Sequence, residues 1–196
     1  MKRKGWFAIP GVQEGDRTLE EQMEAVRLAL AEAPGRTVLD LGCAEGLVGR
    51  EFARAGAKQV LGVDSLRGHI EVAQKVCAGL PMKFIVSGLE ELAAQQTAGG
   101  EVWQYDIVLA LGVTHKLQRP DVGVTFAARA SRDLVLYRAK GGVRDGIVRS
   151  KHFKNNFCDA HAIMREHRFE LERVVEGGGR GETVEYWRRK ALPEAA

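Results

Sequence analysis

The sequence predicts one doubly wound α/β domain, with a mostly parallel seven-stranded sheet that ends in a C-terminal antiparallel β-hairpin. Three observations carry this expectation. From Thr37 onward, short apolar runs alternate with longer amphipathic stretches, the rhythm of strands joined by crossover helices. The 23 glycines, against 5 prolines, fall mostly at the ends of these runs, where tight turns are needed. Near the end the rhythm breaks: residues 169–176 and 182–188 flank Gly177-Gly178-Gly179-Arg180-Gly181 with no room for a crossover, so they pair antiparallel.

The elements follow in order. Residues 1–17 read as loop, with Gly5, Pro10, Gly11 and Gly15. Thr18 starts a helix, because Thr18 and Glu21 have capping-box spacing and Leu19, Met23, Val26 and Leu30 recur at helical period; Pro34-Gly35 stops it. Strands are predicted at 37–41, 59–63, 82–86, 106–111 and 134–137, with helices at 47–55, 66–78, 90–96 and near 125–130. Residues 155–166 read as a further helix that buries Phe157, Ala160, Ile163 and Met164, with His167 on the same face. No repeat or linker divides the chain, so the expected organisation is a loop and helix over 1–36, a main domain over 37–190 and a tail over 191–196.

Composition narrows the class. With 196 residues, 45% hydrophobic and 28% charged, the chain has the balance of an ordinary globular protein. No run of about 18 apolar residues exists to span a membrane. Met-Lys-Arg-Lys is followed by only a short apolar stretch, too brief for a signal-peptide core, so the expected location is cytoplasmic. Cys43, Cys77 and Cys158 lie far apart and form no Cys-x-x-Cys pair, which fits a reducing compartment and predicts no metal site. A net charge of +3 does not by itself demand a nucleic-acid partner.

The strongest local signal is Val38-Leu-Asp-Leu-Gly-Cys-Ala-Glu-Gly46, a strand running through a glycine turn into a helix. The N-terminal amides of such a helix receive polar ligand groups. Asp64 ends the next strand, where a carboxylate accepts hydrogen bonds from ribose hydroxyls. A dinucleotide fingerprint is not met: counting from Gly42, its second and third glycine positions hold Ala44 and Leu47. Asp40 is also ill placed to face a pyrophosphate, which favours a ligand with a cationic or zwitterionic part.

These segments resemble the class I S-adenosylmethionine-dependent methyltransferases. Asp40 to Gly46 resembles their first motif, Val60-Leu-Gly-Val-Asp64 their second, Phe84 to Leu92 their third and Tyr105 to Gly112 their fourth. The terminal hairpin is likewise that family's departure from dinucleotide-binding folds. The resemblance implies a Rossmann-like methyltransferase domain with S-adenosyl-L-methionine as cofactor. It implies that Asp40, Gly42 and Gly46 shape the methionine end, with Cys43 contributing backbone, that Asp64 holds the ribose, with Ser65, Gly88 and Leu89 also at the cofactor, and that Leu111 lines the floor with Gly112. The acid that often faces the adenine amine is missing near Gly88, which leaves that contact to the Ser87–Leu89 backbone or to Glu90.

Acceptor-facing candidates come from the loops. His115, after the fourth strand, and His152, after the fifth, are candidate bases because imidazole titrates near neutrality. Lys140, Arg144, Arg149, Lys151 and Lys154 face a single Asp145 across the loop after the fifth strand, which suggests an anionic acceptor, either a small molecule or RNA. The segment 10–17 is a candidate lid, with Arg17 a candidate partner for the methionine carboxylate and Gln13 a second. Neither the Asn-Pro-Pro-aromatic element nor the Pro-Cys pair of DNA methyltransferases is present, so DNA is not the expected acceptor. Transfer to an oxygen or nitrogen is the leading reading. An NAD-dependent oxidoreductase and a non-catalytic S-adenosylmethionine-binding module are the alternatives.

Overall fold

The computed structural model describes residues 5–97, 103–138, 146–153, 155–177 and 182–191. Seven strands make the main sheet: β1 (Thr37–Leu41), β2 (Gln59–Asp64), β3 (Met82–Val86), β4 (Tyr105–Leu111), β5 (Ser131–Arg138), β6 (Phe169–Glu176) and β7 (Thr183–Arg189). Their order across the sheet is β6-β7-β5-β4-β1-β2-β3. Strands β1 to β5 run parallel, and β7 inserts antiparallel between β5 and β6.

Among the described residues, six α-helices cover the sheet: α1 (Leu19–Met23), α2 (Leu47–Arg54), α3 (Arg67–Val76), α4 (Leu89–Thr97), α5 (Pro120–Ala130) and α6 (Ala160–Glu166). Alternation along each strand divides the core in two. Val38, Val60, Ile107, Leu109, Leu134 and Leu136 face α1 and α2, together with Phe52 and Tyr186. Leu39, Leu41, Val63, Val108, Val135 and Tyr137 face α4, α5 and α6, together with Phe126 and Trp187. Strands buried on both faces lose the polar alternation of a half-exposed sheet, which explains why they read as continuous apolar runs. Among the described residues, no helix is long and apolar enough to cross a membrane.

The capping box forms as expected: Thr18 accepts from the Glu21 N–H, and the Glu21 carboxylate accepts from the Thr18 N–H at 2.7 Å. The helix it starts is only one turn and a half, because the chain re-forms as a 3-10 turn over Arg27–Glu32.

Two readings are corrected. The expected loop over 1–17 contains a parallel pairing of Gly5–Phe7 with Gly15–Arg17, while residues 1–4 lie outside the described residues. The expected helix over 155–166 is shorter. Phe157–Asp159 pairs antiparallel with Ile147–Arg149, and α6 begins after Asp159, whose carboxylate caps the Ala162 N–H at 2.9 Å. Phe157 is therefore 58% exposed rather than in the core. A partner strand ten residues upstream outweighs the helical spacing. The hairpin turn 178–181, the tail 192–196 and Lys140, Arg144 and Lys154 lie outside the described residues.

Candidate functional site

The strand order reverses between β1 and β4, and the crevice at such a reversal is where open α/β sheets bind ligands. A cavity of about 350 Å³ opens there. Gly42 and Ala44 form its base, Val63, Asp64, Ser65, Leu66 and His69 one side, and Ser87 to Glu90 the far end. Leu111, Val113, Lys116 and Leu117 form a further side, and Trp6 also lines the cavity.

The glycine turn is set by sterics. Gly42 has φ +71°, and a Cβ there would lie 2.9 Å from Val113. Gly46 enters α2 at φ +73°, with the Phe84 ring 2.9 Å from where its Cβ would stand. The turn is held against β2 by the Gly42 and Cys43 N–H groups, which both donate to the Val63 carbonyl.

Asp64 is the hinge of the site. One carboxylate oxygen accepts from the Ala44 N–H at 3.0 Å and the other from the Leu66 N–H at 2.9 Å. His69 Nδ1 stands 3.3 Å from the second oxygen. Burial works to raise the Asp64 pKa, but His69 and the two amides together bring it below the usual carboxylate value. The same pairing with Asp64 raises His69 above an ordinary imidazole, against its own burial. Asp64 stays ionised and lines the cavity, where a carboxylate suits a ribose hydroxyl as donor.

Glu45 fastens the amino-terminal segment over this turn. Its fully buried carboxylate accepts from the Trp6 N–H at 2.9 Å, the Phe7 N–H at 3.1 Å and Gln13 Nε2 at 2.7 Å. Trp6 is thereby set above the base of the cavity. Lys116 Nζ lies 4.4 Å from the Trp6 ring centroid, and the Arg17 guanidinium lies 5.6 Å from the same centroid.

Of the residues expected at the cofactor, Gly42, Asp64, Ser65, Gly88, Leu89 and Leu111 line the cavity. The others stand behind the wall. Asp40 is buried under α2, where it accepts from the Gly49 N–H at 3.2 Å, and that burial raises its pKa to about 7. It braces the helix instead of facing a ligand. Cys43 Sγ packs 2.9 Å from where a Cβ on Gly62 would stand, and its thiol is pushed up by burial. Gly46 supplies only backbone shape. Arg17 is turned from the cavity to Glu182, 2.6 Å away at the start of β7.

The histidine candidates also fall outside the wall. His115 sits in the 3-10 turn Thr114–Lys116 behind Gly112, with Cε1 3.9 Å from a Cβ built there. His152 is exposed beside the short strand pair. His161 belongs to a different network, 2.9 Å from the buried Glu185, which also accepts from the Trp187 indole at 2.8 Å.

Sequence reasoning missed Trp6, Glu45, His69 and Lys116 as site residues. Two signals were available. Glu45 is an acid inside a glycine turn, and His69 follows Asp64 by five residues, in the first turn of α3. Trp6 and Lys116 meet only through the tertiary fold.

Residues 38–133, close to half of the chain, match the family described as Methyltransferase domain. The chain is 32% identical over 123 residues to a tRNA U34 carboxymethyltransferase of Alcanivorax borkumensis, covering 60% of this chain and 36% of that protein. It is 39% identical over 104 residues to a ubiquinone biosynthesis O-methyltransferase of Azorhizobium caulinodans, covering 52% and 37% respectively. The chain thus spans little more than a third of the length of these curated relatives. In fold it is similar to the magnesium protoporphyrin IX methyltransferase from Synechocystis PCC 6803 with bound S-adenosylmethionine, at TM-score 0.62 and 20% identity, covering 86% of this chain and 77% of that one. With the strand order, the glycine turn and the carboxylate after β2 in hand, the chain is similar in sequence motifs and in fold to the class I S-adenosylmethionine-dependent methyltransferases.

Proposed function

We propose that this chain transfers a methyl group from S-adenosylmethionine to an oxygen or nitrogen of an anionic acceptor, either a small metabolite or RNA. The observation that carries the cofactor half of this reading is Asp64. It is an ionised carboxylate at the end of β2, held by two backbone amides and His69, and it lines the cavity beside the Gly42 turn. The residues around it fit an adenosine: Leu66 and Leu89 offer apolar surface to a base, and Ser87 to Glu90 offer polar groups at the far end.

When bound, S-adenosylmethionine supplies an electrophilic methyl carbon on a sulfonium leaving group. The protein's task is then chiefly alignment. Gly42 lets the backbone approach closely. Leu111 and Val113 wall the side at which an acceptor arrives, and Trp6 adds an aromatic face to the cavity. The single histidine in the described wall, His69, is engaged by Asp64, so the wall supplies no free imidazole as base. An acceptor already ionised at neutral pH suits that arrangement.

RNA is favoured over other polyanions by the strand pair Ile147–Arg149 and Phe157–Asp159. It presents Arg149, Lys151 and His152 beside the exposed rings of Phe153 and Phe157. Cations with stackable aromatics are the means by which proteins hold single strands. The strand pair is tied to the cavity loop by Ser150 Oγ donating to the Leu117 carbonyl at 2.6 Å and the Lys151 N–H donating to the His115 carbonyl at 2.7 Å.

The test is a labelled-methyl screen over separate metabolite and RNA pools, run with the wild type and with Asp64→Asn. Label entering a metabolite or RNA fraction only with the wild type supports the reading. Tight cofactor binding with no label in either pool supports a non-catalytic role instead.

A further inference from the structure

The cavity is charged unevenly, and we propose that Lys116, backed by the Trp6 ring, is the receptor for an anionic group of the methyl acceptor, a phosphate or a carboxylate. This inference rests on the methyltransferase reading above and names what the acceptor must carry.

Four cations gather at the carboxyl ends of β4 and β5. Lys116 lines the cavity, and Lys151, Arg17 and Arg138 lie within electrostatic reach of it. Two of the four are committed. Arg17 pairs with Glu182 at 2.6 Å. Arg138, only 3% exposed, donates to Gln22 Oε1 and stands 3.7 Å from Glu182, and burial lowers its pKa to about 10.

Lys116 is different. Among the described residues its contact is the Trp6 face, and no carboxylate pairs with it. Asp64, the acid whose field reaches it, is already engaged by the Ala44 and Leu66 amides and by His69. Burial and the neighbouring cations hold the Lys116 pKa below the usual lysine value, so an anion arriving there relieves an existing strain.

The cofactor does not remove this surplus. S-adenosylmethionine carries an ammonium, a sulfonium and a single carboxylate, so its binding brings further positive charge into the cavity. A neutral or cationic acceptor would leave Lys116 facing that charge uncompensated. A phosphate or carboxylate on the acceptor cancels it and anchors the acceptor beside the Leu111–Val113 wall.

The test uses the full chain saturated with S-adenosylhomocysteine and titrates inorganic phosphate by calorimetry, in the wild type, Lys116→Met and Lys116→Arg. The expected result is phosphate binding by the wild type, weakened about tenfold or more in Lys116→Met and largely restored in Lys116→Arg. The affinity for S-adenosylhomocysteine should stay the same in all three. Equal phosphate affinity in wild type and Lys116→Met overturns the proposal, as does an absence of phosphate binding by the wild type. A parallel loss of S-adenosylhomocysteine affinity in Lys116→Met overturns it too, because the lysine would then serve the cofactor's own carboxylate. Failure of the wild type to bind S-adenosylhomocysteine is a separate result, which removes the cofactor reading itself. Thermal unfolding of each variant confirms that the comparison is made on folded protein.

Discussion

The two sides of the cavity are built in opposite ways. The side under β1 and β2 carries acids, Asp64 in the wall with Glu45 and Asp40 behind it, and comes from one continuous stretch of chain between residues 37 and 69. The side under β4 and β5 carries cations, and its parts come from residues 6, 17, 116, 138 and 151. One side is a local device, the other an assembly. The contrast suits a cationic cofactor meeting an anionic acceptor across a short gap, and it makes the two sides separable by mutation.

The largest effect is expected where the sides are joined. Glu45 holds Trp6, Phe7 and Gln13 through three hydrogen bonds while buried. Glu45→Ala strands those donors and should cost about 3 kcal/mol or more of stability. The amino-terminal segment should then become sensitive to limited proteolysis, while Glu45→Gln, which keeps one acceptor oxygen, loses less. If Glu45→Ala leaves both the unfolding midpoint and the proteolysis pattern unchanged, the strap does not depend on this carboxylate.

Asp40 sharpens the acidic side. Its pKa in the fold is raised by burial from 3.8 to about 7. The folded state therefore holds a proton that the unfolded state gives up between those values. Stability falls as pH rises through that window and is flat above it. Asp40→Asn removes the penalty. It should be more stable than the wild type by about 2–4 kcal/mol at pH 8, with the advantage shrinking towards pH 4. Denaturant unfolding of both proteins at several pH values measures this, and a constant difference between them would refute an Asp40 that titrates on folding.

The contrast between local and assembled also explains what was legible beforehand. The β1 turn, Asp64 and the hairpin could be read because each is a short-range pattern: a strand, a turn and a helix in order, or two strands around a glycine run. Gly42, Asp64, Gly88, Leu89 and Leu111 line the cavity. Asp40 belongs to the same motif but its side chain packs under α2, because successive strand residues point to opposite faces of the sheet. Arg17 illustrates the other limit. It was a sound partner for an anion by charge alone, but its anion turned out to be Glu182, 165 residues away. No pattern within the first 36 residues contains that information. Lys116 was visible beside His115, yet its meaning depends on Trp6 lying over it.

The claim on which both sides rest is that Asp64 holds the ribose of an S-adenosyl cofactor in this cavity. Calorimetric titration of S-adenosylhomocysteine into the wild type and Asp64→Asn tests it most directly. Replacing the carboxylate by an amide removes a charged acceptor, which should weaken binding by about 10–100-fold, and thermal unfolding of the variant confirms that the comparison is made on folded protein. Equal affinity in the two proteins, or tighter binding of NADH than of S-adenosylhomocysteine by the wild type, would contradict the account.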